Sequence, residues 1–204
     1  MLKKYMKEFF SDIHVLIMVV VLLMGLAFIV TEINKWSIWL ALFLGMVTYT
    51  GAEYVNHRFV FHMKTPKNPL LLKFIKRIHF DHHVDPRNLK LLFLPVWYSL
   101  PQIIVISLIV YAIFGNSAFA IAYGCGIAAM LLYYEWAHYV AHQPINPKTP
   151  WGKQMKKMHL WHHFQNEDYW YGVTNPVYDK LLGTYADQKA VEKSKTARNL
   201  EKRV

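Results

Sequence analysis

Two short stretches decide the fold of this chain: HFDHH at residues 79–83 and HLWHH at residues 159–163. Each places three histidines at positions i, i+3 and i+4, a spacing that lies on one face of a helix. A histidine pair precedes each triplet. The pairs are His57 with His62 and His138 with His142. All but one of the 11 histidines therefore fall into four clusters, which indicates that distant parts of the chain meet.

The chain consists of two similar halves built around these clusters. In each half an apolar hairpin leads to a glutamate, Glu53 or Glu135, that is followed by an aromatic residue, the pair, a linker and the triplet. Both linkers, residues 63–78 and 143–158, begin with prolines and end in basic, helix-compatible stretches. This organisation fits either an internal duplication or convergence on one geometry.

Apolar segments between the clusters are long enough to cross a bilayer. Of all residues, 54% are hydrophobic, and four stretches approach the length that about 30 Å of hydrocarbon requires. We predict two hairpins of transmembrane helices, at residues 13–30, 36–52, 97–114 and 117–134. The first stretch is too long for the apolar core of a signal peptide, so we expect a retained anchor. The predicted class is an all-α integral membrane protein.

The basic residues lie on one side of the predicted spans. The net charge is +10, and every Lys and Arg except Lys35 lies before the first span, between residues 58 and 90, or after the fourth span. The positive-inside rule places this side, with both termini, in the cytoplasm. The histidine clusters lie on the same side, so we predict a cytoplasmic helical cap that holds them. Anionic lipid head groups explain a basic face beside a bilayer, and we expect no nucleic-acid partner.

The clustered histidines predict a site for two metal ions, because neutral imidazole is the commonest metal ligand and ten exceed the needs of one ion. Each triplet can converge, and His138 and His142 can bind one ion together. His57 and His62 would lie about 140° apart around a regular helix. Either the helix loosens there or the two rings serve different ions. His14 stands alone and is expected to be a satisfied core residue and not a ligand.

Residue types leave the identity of the metal open, since imidazole accepts zinc, copper, iron or nickel. Cys125 is the single cysteine, so no thiolate site or disulfide is expected. Zinc hydrolysis usually needs three protein ligands per ion, and ten ligands therefore favour a paired redox centre that activates O2. The alternative from another class is a non-catalytic membrane metal-binding protein.

Carboxylates near the clusters are candidates for orienting the metal ligands. Glu53 precedes His57 by four residues and Glu135 precedes His138 by three, so each could reach the free ring nitrogen of a ligand. Both also lie beside apolar spans, where acids are rare without a function. Three further candidates are weaker: Asp81, Glu167 and Asp168.

The C-terminal part of the chain offers fewer signals. We assign residues 1–185 to the membrane domain and residues 186–204 to a charged tail. Because the tail has few apolar side chains, we expect it to be frayed or disordered, and we assign it no role. Four aromatic residues are interpreted as an interfacial belt in preference to a substrate entrance: Trp161, Tyr169, Trp170 and Tyr171.

The motifs resemble the fatty acid hydroxylase/sterol desaturase superfamily and, within it, the fatty acid 2-hydroxylases. Two stretches carry the resemblance, EYVNHRFVFHMK at residues 53–64 and HLWHHFQNEDYWYGVTNPVYDKLLGT at residues 159–184. It implies a multi-span fold with a centre of two iron ions, although zinc could replace iron in purified protein. The implied ligands are His57, His62, His79, His82, His83, His138, His142, His159, His162 and His163.

The resemblance also implies a reaction, the O2-dependent hydroxylation of a lipid C–H bond with two electrons. We favour 2-hydroxylation of a fatty acyl chain beside its carboxyl or amide, with a sterol or carotenoid hydroxylase or desaturase as the alternative. The membrane would be the plasma membrane in a bacterium and the endoplasmic reticulum in a eukaryote.

Electrons for this reaction are expected from an external carrier. Unlike the eukaryotic 2-hydroxylases, this sequence has no cytochrome b5 domain before the first span. The donor would be a cytochrome b5-like or ferredoxin-like carrier with its reductase. Five lysines could steer an acidic carrier to the cap: Lys73, Lys76, Lys153, Lys156 and Lys157.

Overall fold

The structure is a computed structural model that describes residues 2–203, and the chain is helical without strands over that range. The helices are α1 (Leu2–Ser11), α2 (Ile13–Ile29), α3 (Trp36–Val55), α4 (Pro69–Ile75), α5 (Asp81–Val84), α6 (Leu89–Leu92), α7 (Val96–Phe114), α8 (Ser117–His142), α9 (Pro150–Phe164) and α10 (Val177–Leu181). Two π-helical turns, Asn56–Phe61 and Lys76–Phe80, continue α3 and α4.

Four of the helical segments are long and apolar enough to cross a membrane, so this is a multi-pass membrane protein and the prediction of four spans is confirmed. The segments are Ile13–Glu32, Trp36–Phe61, Leu89–Phe114 and Ser117–His142. Large apolar side chains such as Leu23, Met24 and Phe28 are more than half exposed on α2. Lipid tails are the solvent that such an outward-facing apolar surface requires.

The described chain divides into two compact units. The first contains the residues up to Thr50 and Leu94–Glu135. Within it α3 and α8 approach closely at two glycines: a Cβ on Gly45 would lie 2.1 Å from the carbonyl oxygen of Tyr123, and one on Gly126 would lie 2.1 Å from that of Leu42. Small residues permit this kind of backbone contact between membrane helices.

The turn between α7 and α8 also depends on a glycine. Gly115 ends α7 with a φ of +62°, in the left-handed region that glycine adopts without steric cost. In the same unit α2, α7 and α8 surround an apolar cavity of about 360 Å³ whose walls include Leu22, Ile103 and Ile121.

The second unit contains Gly51–Phe93 and the residues from Trp136 onward, and it holds all ten clustered histidines. The expectation that residues 186–204 are frayed or disordered is wrong for those the structure describes. Ala197 and Leu200 are buried, with 2% and 0% of their surface exposed. Hydrogen bonds to Thr65, His83 and Asp168, made by two backbone carbonyls and one guanidinium, also hold this segment.

Candidate metal centre

The ten clustered histidines are all buried and form two groups of five. Within each group one ring nitrogen per histidine lies within 4.8 Å of all the others. The first group comprises His57, His62, His79, His83 and His162. The second group comprises His82, His138, His142, His159 and His163. This convergence makes all ten histidines candidate metal ligands.

The nitrogen separations match the spacing of ligands around one ion. In the first group, Nε2 of His62 lies 2.9 Å from Nε2 of His79 and 3.0 Å from Nε2 of His162. In the second group, Nε2 of His142 lies 2.8 Å from Nε2 of His159. Two nitrogens held at right angles about 2.1 Å from an ion stand about 3.0 Å apart, so both groups fit a metal.

Buried nitrogens without partners support the same conclusion. Nε2 of His57 and both ring nitrogens of His163 have no hydrogen-bond partner among residues 2–203. A buried polar atom is normally satisfied. An ion at the centre of each group would bind Nε2 of His57 and one nitrogen of His163, whose other nitrogen carries the ring proton.

The first pair reaches a single group because the helix loosens. His57 and His62 are five residues apart, and the π-helical turn Asn56–Phe61 adds one residue to the helical repeat between them. His138 and His142 are four apart on the regular helix α8 and also share a group. Of the two alternatives left open for His57 and His62, the loosened helix is therefore the correct one.

The expectation that each triplet converges is wrong for its middle histidine. His79 and His83 lie in the first group, whereas His82 lies in the second. In the other triplet, His159 and His163 share the second group and His162 lies in the first. In both triplets the histidines at i and i+4 therefore share a group, and the histidine at i+3 belongs to the other group. The separation of about 100° between neighbouring positions on a helix aims the third ring at a different centre.

The two groups are adjacent. The rings of His83, in the first group, and His163, in the second, stack with centroids 4.0 Å apart and planes inclined by 18°. Nε2 of His82 lies 2.8 Å from Nε2 of His138, which joins the halves of the chain again within the second group. Two adjacent groups of five imidazoles, each drawing on both halves of the chain, could hold two ions.

Backbone carbonyls orient three rings of the first group. A ring N–H that donates to a carbonyl fixes the tautomer and leaves the other nitrogen free to bind a metal. Nδ1 of His57 donates to the carbonyl of Tyr171. Nδ1 of His83 donates to the carbonyl of Ala197 at 2.7 Å, and Nδ1 of His162 donates to that of Tyr169 at 2.8 Å. These partners could not be predicted from the sequence, because every residue has a backbone carbonyl and its residue type does not show where that carbonyl points.

The two carbonyls near residue 170 depend on an unusual backbone conformation. Trp170 has a φ of +57°, in the left-handed region that side-chain-bearing residues rarely adopt. Its indole is fully buried and packs with Met155 and Met158. Trp170 and Tyr171 are therefore buried supports of the site, and the interpretation of all four aromatic residues as an interfacial belt is wrong for these two.

Glu53 does not contact a histidine ring nitrogen, contrary to the sequence expectation. Its buried carboxylate accepts hydrogen bonds from the backbone N–H groups of Val173 at 2.7 Å and Thr174 at 2.9 Å, and from the Thr174 hydroxyl. Asp179 similarly accepts from the N–H groups of Tyr171 and Gly172. The two acids hold the loop that supplies the Tyr171 carbonyl to His57.

Glu135 also lacks the expected contact. Its Oε1 accepts from the N–H of Leu94 at 3.0 Å, and its Oε2 has no hydrogen-bond partner in the described chain. His14 is hydrogen-bonded as expected, because its Nδ1 accepts from the N–H of Val96 at 3.3 Å, but it is only half-buried and does not lie in the core. Neither residue belongs to the two histidine groups.

The weaker acidic candidates contact cations and a hydroxyl instead of histidine rings. Glu167 is buried and accepts from the hydroxyl of Thr196. Asp168 accepts from the guanidinium of Arg203, and a carboxylate oxygen of Asp81 lies 3.6 Å from Nζ of Lys76. Glu167 and Asp168 therefore act on the C-terminal segment.

Two of the five lysines proposed to steer a carrier are already engaged. Nζ of Lys156 donates to the carbonyls of Val140, Gln143 and Ile145 at 2.7–2.9 Å, so it caps the end of α8. Lys76 forms ion pairs with Asp81 and Glu201. Lys73, Lys153 and Lys157 are the exposed members of the set.

Burial keeps the histidines outside the spans in the neutral form that binds metals. It lowers the pKa of His79, His159 and His163 well below the ordinary value, and charge on neighbouring imidazoles lowers it further. Burial lowers the pKa of His83 to about 3. Ten neutral nitrogen donors without thiolates suit a first-row transition metal such as iron or zinc.

Four membrane spans and two adjacent groups of five histidines define this chain as a membrane protein with a candidate two-metal centre. Comparison with known sequences shows its family: this chain belongs to the fatty acid hydroxylase family. The profile described as fatty acid hydroxylase matches residues 40–184. The resemblance stated from the sequence is thereby confirmed.

Particular relatives agree with this assignment. The chain is 35% identical over 150 residues to dihydroceramide fatty acyl 2-hydroxylase FAH2 of Arabidopsis thaliana, covering 73% of this chain and 62% of the relative. It is 32% identical over 159 residues to fatty acid 2-hydroxylase of Mus musculus, covering 76% and 42%. The chain thus spans less than two thirds of the length of these relatives.

A solved structure shares the fold. Full-length scs7p, of which only the hydroxylase domain is visible, superposes with a TM-score of 0.77 at 24% sequence identity. The match covers 86% of this chain and 66% of that chain.

Proposed function

We propose that this chain is an O2-dependent lipid hydroxylase that converts a C–H bond of a fatty acyl chain, beside its carboxyl or amide, into C–OH. The observation that carries the proposal is the convergence of ten buried histidines into two adjacent groups of five. The names of the relatives, fatty acid and dihydroceramide fatty acyl 2-hydroxylases, favour an acyl substrate over a sterol or carotenoid. The membrane domain of residues 1–185 carries this chemistry, with residues 186–204 as an appended segment.

The proposed ligands are the five histidines of each group, and two iron ions are the proposed metals, with zinc able to occupy the same nitrogens in purified protein. When bound, such a pair supplies the redox chemistry that activates O2. The protein holds the ring nitrogens in the neutral state and orients them through backbone carbonyls. The balanced reaction takes up O2, two electrons and two protons, and releases water with the hydroxylated lipid.

The two electrons are proposed to come from an external cytochrome b5-like or ferredoxin-like carrier with its reductase. The single cysteine, Cys125, leaves no iron–sulfur ligand set in this sequence. Lys73, Lys153 and Lys157 are exposed and could attract an acidic carrier. The one-sided distribution of basic residues supports a cytoplasmic site, in the plasma membrane of a bacterium or the endoplasmic reticulum of a eukaryote.

The test is to express the chain with a cytochrome b5 and its reductase in a host that lacks 2-hydroxylated lipids, under ¹⁸O2. We expect 2-hydroxyacyl lipids that contain ¹⁸O, and none from a variant with His142→Ala and His159→Ala. Oxygen derived from water would indicate a hydrolase instead. A folded, metal-loaded protein that leaves the lipids unchanged in the presence of reduced carrier would indicate a non-catalytic metal-binding protein.

A further inference from the structure

The C-terminal segment of residues 187–203, here called the strap, packs against the histidine groups. The match to the family profile ends at residue 184, so the strap lies outside the matched region. Thr196 binds the buried carboxylate of Glu167, and Thr65 donates to carbonyls of the strap, including that of Leu200. These contacts fix the strap at several points along its length.

Two residues of the strap reach histidines of the first group directly. The carbonyl of Ala197 accepts from Nδ1 of His83 at 2.7 Å. Nη1 of Arg203 donates to the carbonyl of His62 at 3.1 Å and lies 3.4 Å from Nδ1 of the same residue, while Nη2 donates to Asp168. The strap therefore restrains the ring of one ligand and the backbone of another.

Three rings of the second group lack a partner of this kind. Nδ1 of His82, His159 and His163 is buried and has no hydrogen-bond partner within the described range. The strap contacts described above reach His62 and His83, which both belong to the first group. The two groups thus differ in how their rings are held, although they match in ligand number.

We propose that the strap positions ligands of the first group, so that the ion held there depends on residues 187–203 and the ion held by the second group does not. The inference rests on the proposed two-ion function. Its physical basis is that a carbonyl bonded to Nδ1 fixes the ring orientation and raises the basicity of Nε2. Loss of such a partner typically weakens metal binding about 10- to 100-fold.

The experiment measures zinc retention by the detergent-solubilised full chain against graded chelator, with each group isolated in turn. His142→Ala with His159→Ala disables the second group, and His62→Ala with His79→Ala disables the first. Each pair removes two neighbouring Nε2 atoms, so the two backgrounds are matched. Into both backgrounds we introduce Arg203→Met or a deletion of residues 194–204.

With the first group alone, we expect the deletion to weaken zinc about tenfold or more, and Arg203→Met to weaken it less. With the second group alone, we expect no change from either. The control Lys202→Met removes a neighbouring exposed cation and should have no effect in either background. A peptide of residues 194–204 added to the deleted chain should restore the zinc affinity of the first group.

Equal weakening in both backgrounds would show that the strap only stabilises the fold, and no weakening in either would show that it has no role at the site. Both results overturn the inference. Failure of the unmodified chain to bind two ions would instead overturn the proposed two-ion function.

Discussion

His82 and His162 occupy the same position in their two triplets, and each lies in the histidine group formed mainly by the other half of the chain. His82 joins His138, whose Nε2 is 2.8 Å away, and His162 joins His62 at 3.0 Å. The two halves therefore complete each other's sites. This reciprocity explains why the histidines recur as triplets, since a pair plus two triplet members supplies only four of the five rings.

Because His82 and His162 lie in opposite groups, substitution of each should affect metal binding at only one group. In the background with His62→Ala and His79→Ala, we expect zinc to bind at the second group. His82→Ala should weaken this binding about tenfold or more because it removes one of the five proposed ligands. His162→Ala should leave that zinc unaffected. Chelator competition measures both, with His14→Ala as the control. A larger effect of His162→Ala would contradict the assignment.

Because Trp170 has a left-handed backbone conformation, we expect a glycine at this position to give a more stable protein than an alanine, the reverse of the order usual in helices and strands. Trp170→Ala and Trp170→Gly lose the same indole, but the φ of +57° suits glycine better. We expect the glycine variant to be more stable than the alanine variant by about 1 kcal/mol. Denaturant unfolding in mild detergent compares the two. A more stable alanine variant would show that the backbone is not held in the left-handed region.

We expect removal of the Glu53 carboxylate to destabilise the folded chain strongly. Glu53→Ala leaves the buried N–H groups of Val173 and Thr174 without an acceptor, which should lower the free energy of unfolding by about 3 kcal/mol. Glu53→Gln keeps one acceptor oxygen and should cost less. Thermal unfolding of the two variants beside the parent chain tests this order. Equal losses would mean that the space filled by the side chain matters more than its acceptor atoms.

The glycine contact between α3 and α8 predicts sensitivity to added methyl groups. A side chain at Gly126 meets the carbonyl of Leu42, which cannot move without disturbing the helix. Gly126→Val should therefore reduce folded yield and thermal stability strongly. Ala112→Val, on an exposed position of α7, is the matched control and should behave as the parent chain. Equal behaviour of the two variants would argue against close packing of α3 on α8.

The buried histidines predict a loss of stability in mild acid. Burial lowers the pKa of rings such as His79 and His163 in the folded chain, whereas the unfolded chain takes up protons near pH 6.5. The stabilisation is therefore present above about pH 6.5 and is lost as the pH falls below it, by up to about 1.4 kcal/mol per pH unit for each ring. Unfolding and zinc release measured from pH 8 to pH 5 should both shift. Curves that stay constant over this range would contradict burial of the rings.

The helices and the histidine groups were largely predictable because hydrophobic length and histidine spacing are properties of residue type. The predicted span at residues 13–30 corresponds to α2, Ile13–Ile29. The fourth span was predicted too short, since α8 continues to His142 through polar histidines that hydropathy excludes. The spacing of His57 and His62 did not show whether they belong to one group, because no residue type in 57–62 indicates a π-helical turn.

Supports of the site were the least predictable part. Ala197 acts through its carbonyl, which every residue possesses, and Arg203 resembled one more cation in a charged tail. Glu53 was correctly singled out as an acid beside an apolar span, but its partners are backbone N–H groups about 120 residues away. Such pairings depend on tertiary structure, and residue spacing along a helix cannot supply them.

The crossing of His82 and His162 constrains the history of the chain. If both halves descend from one shorter gene product, a single copy of that ancestor offered only four imidazoles to each ion, and a second copy had to lend the fifth. A homodimer would then have preceded the present chain, and gene fusion would have turned an association that depends on concentration into a covalent one.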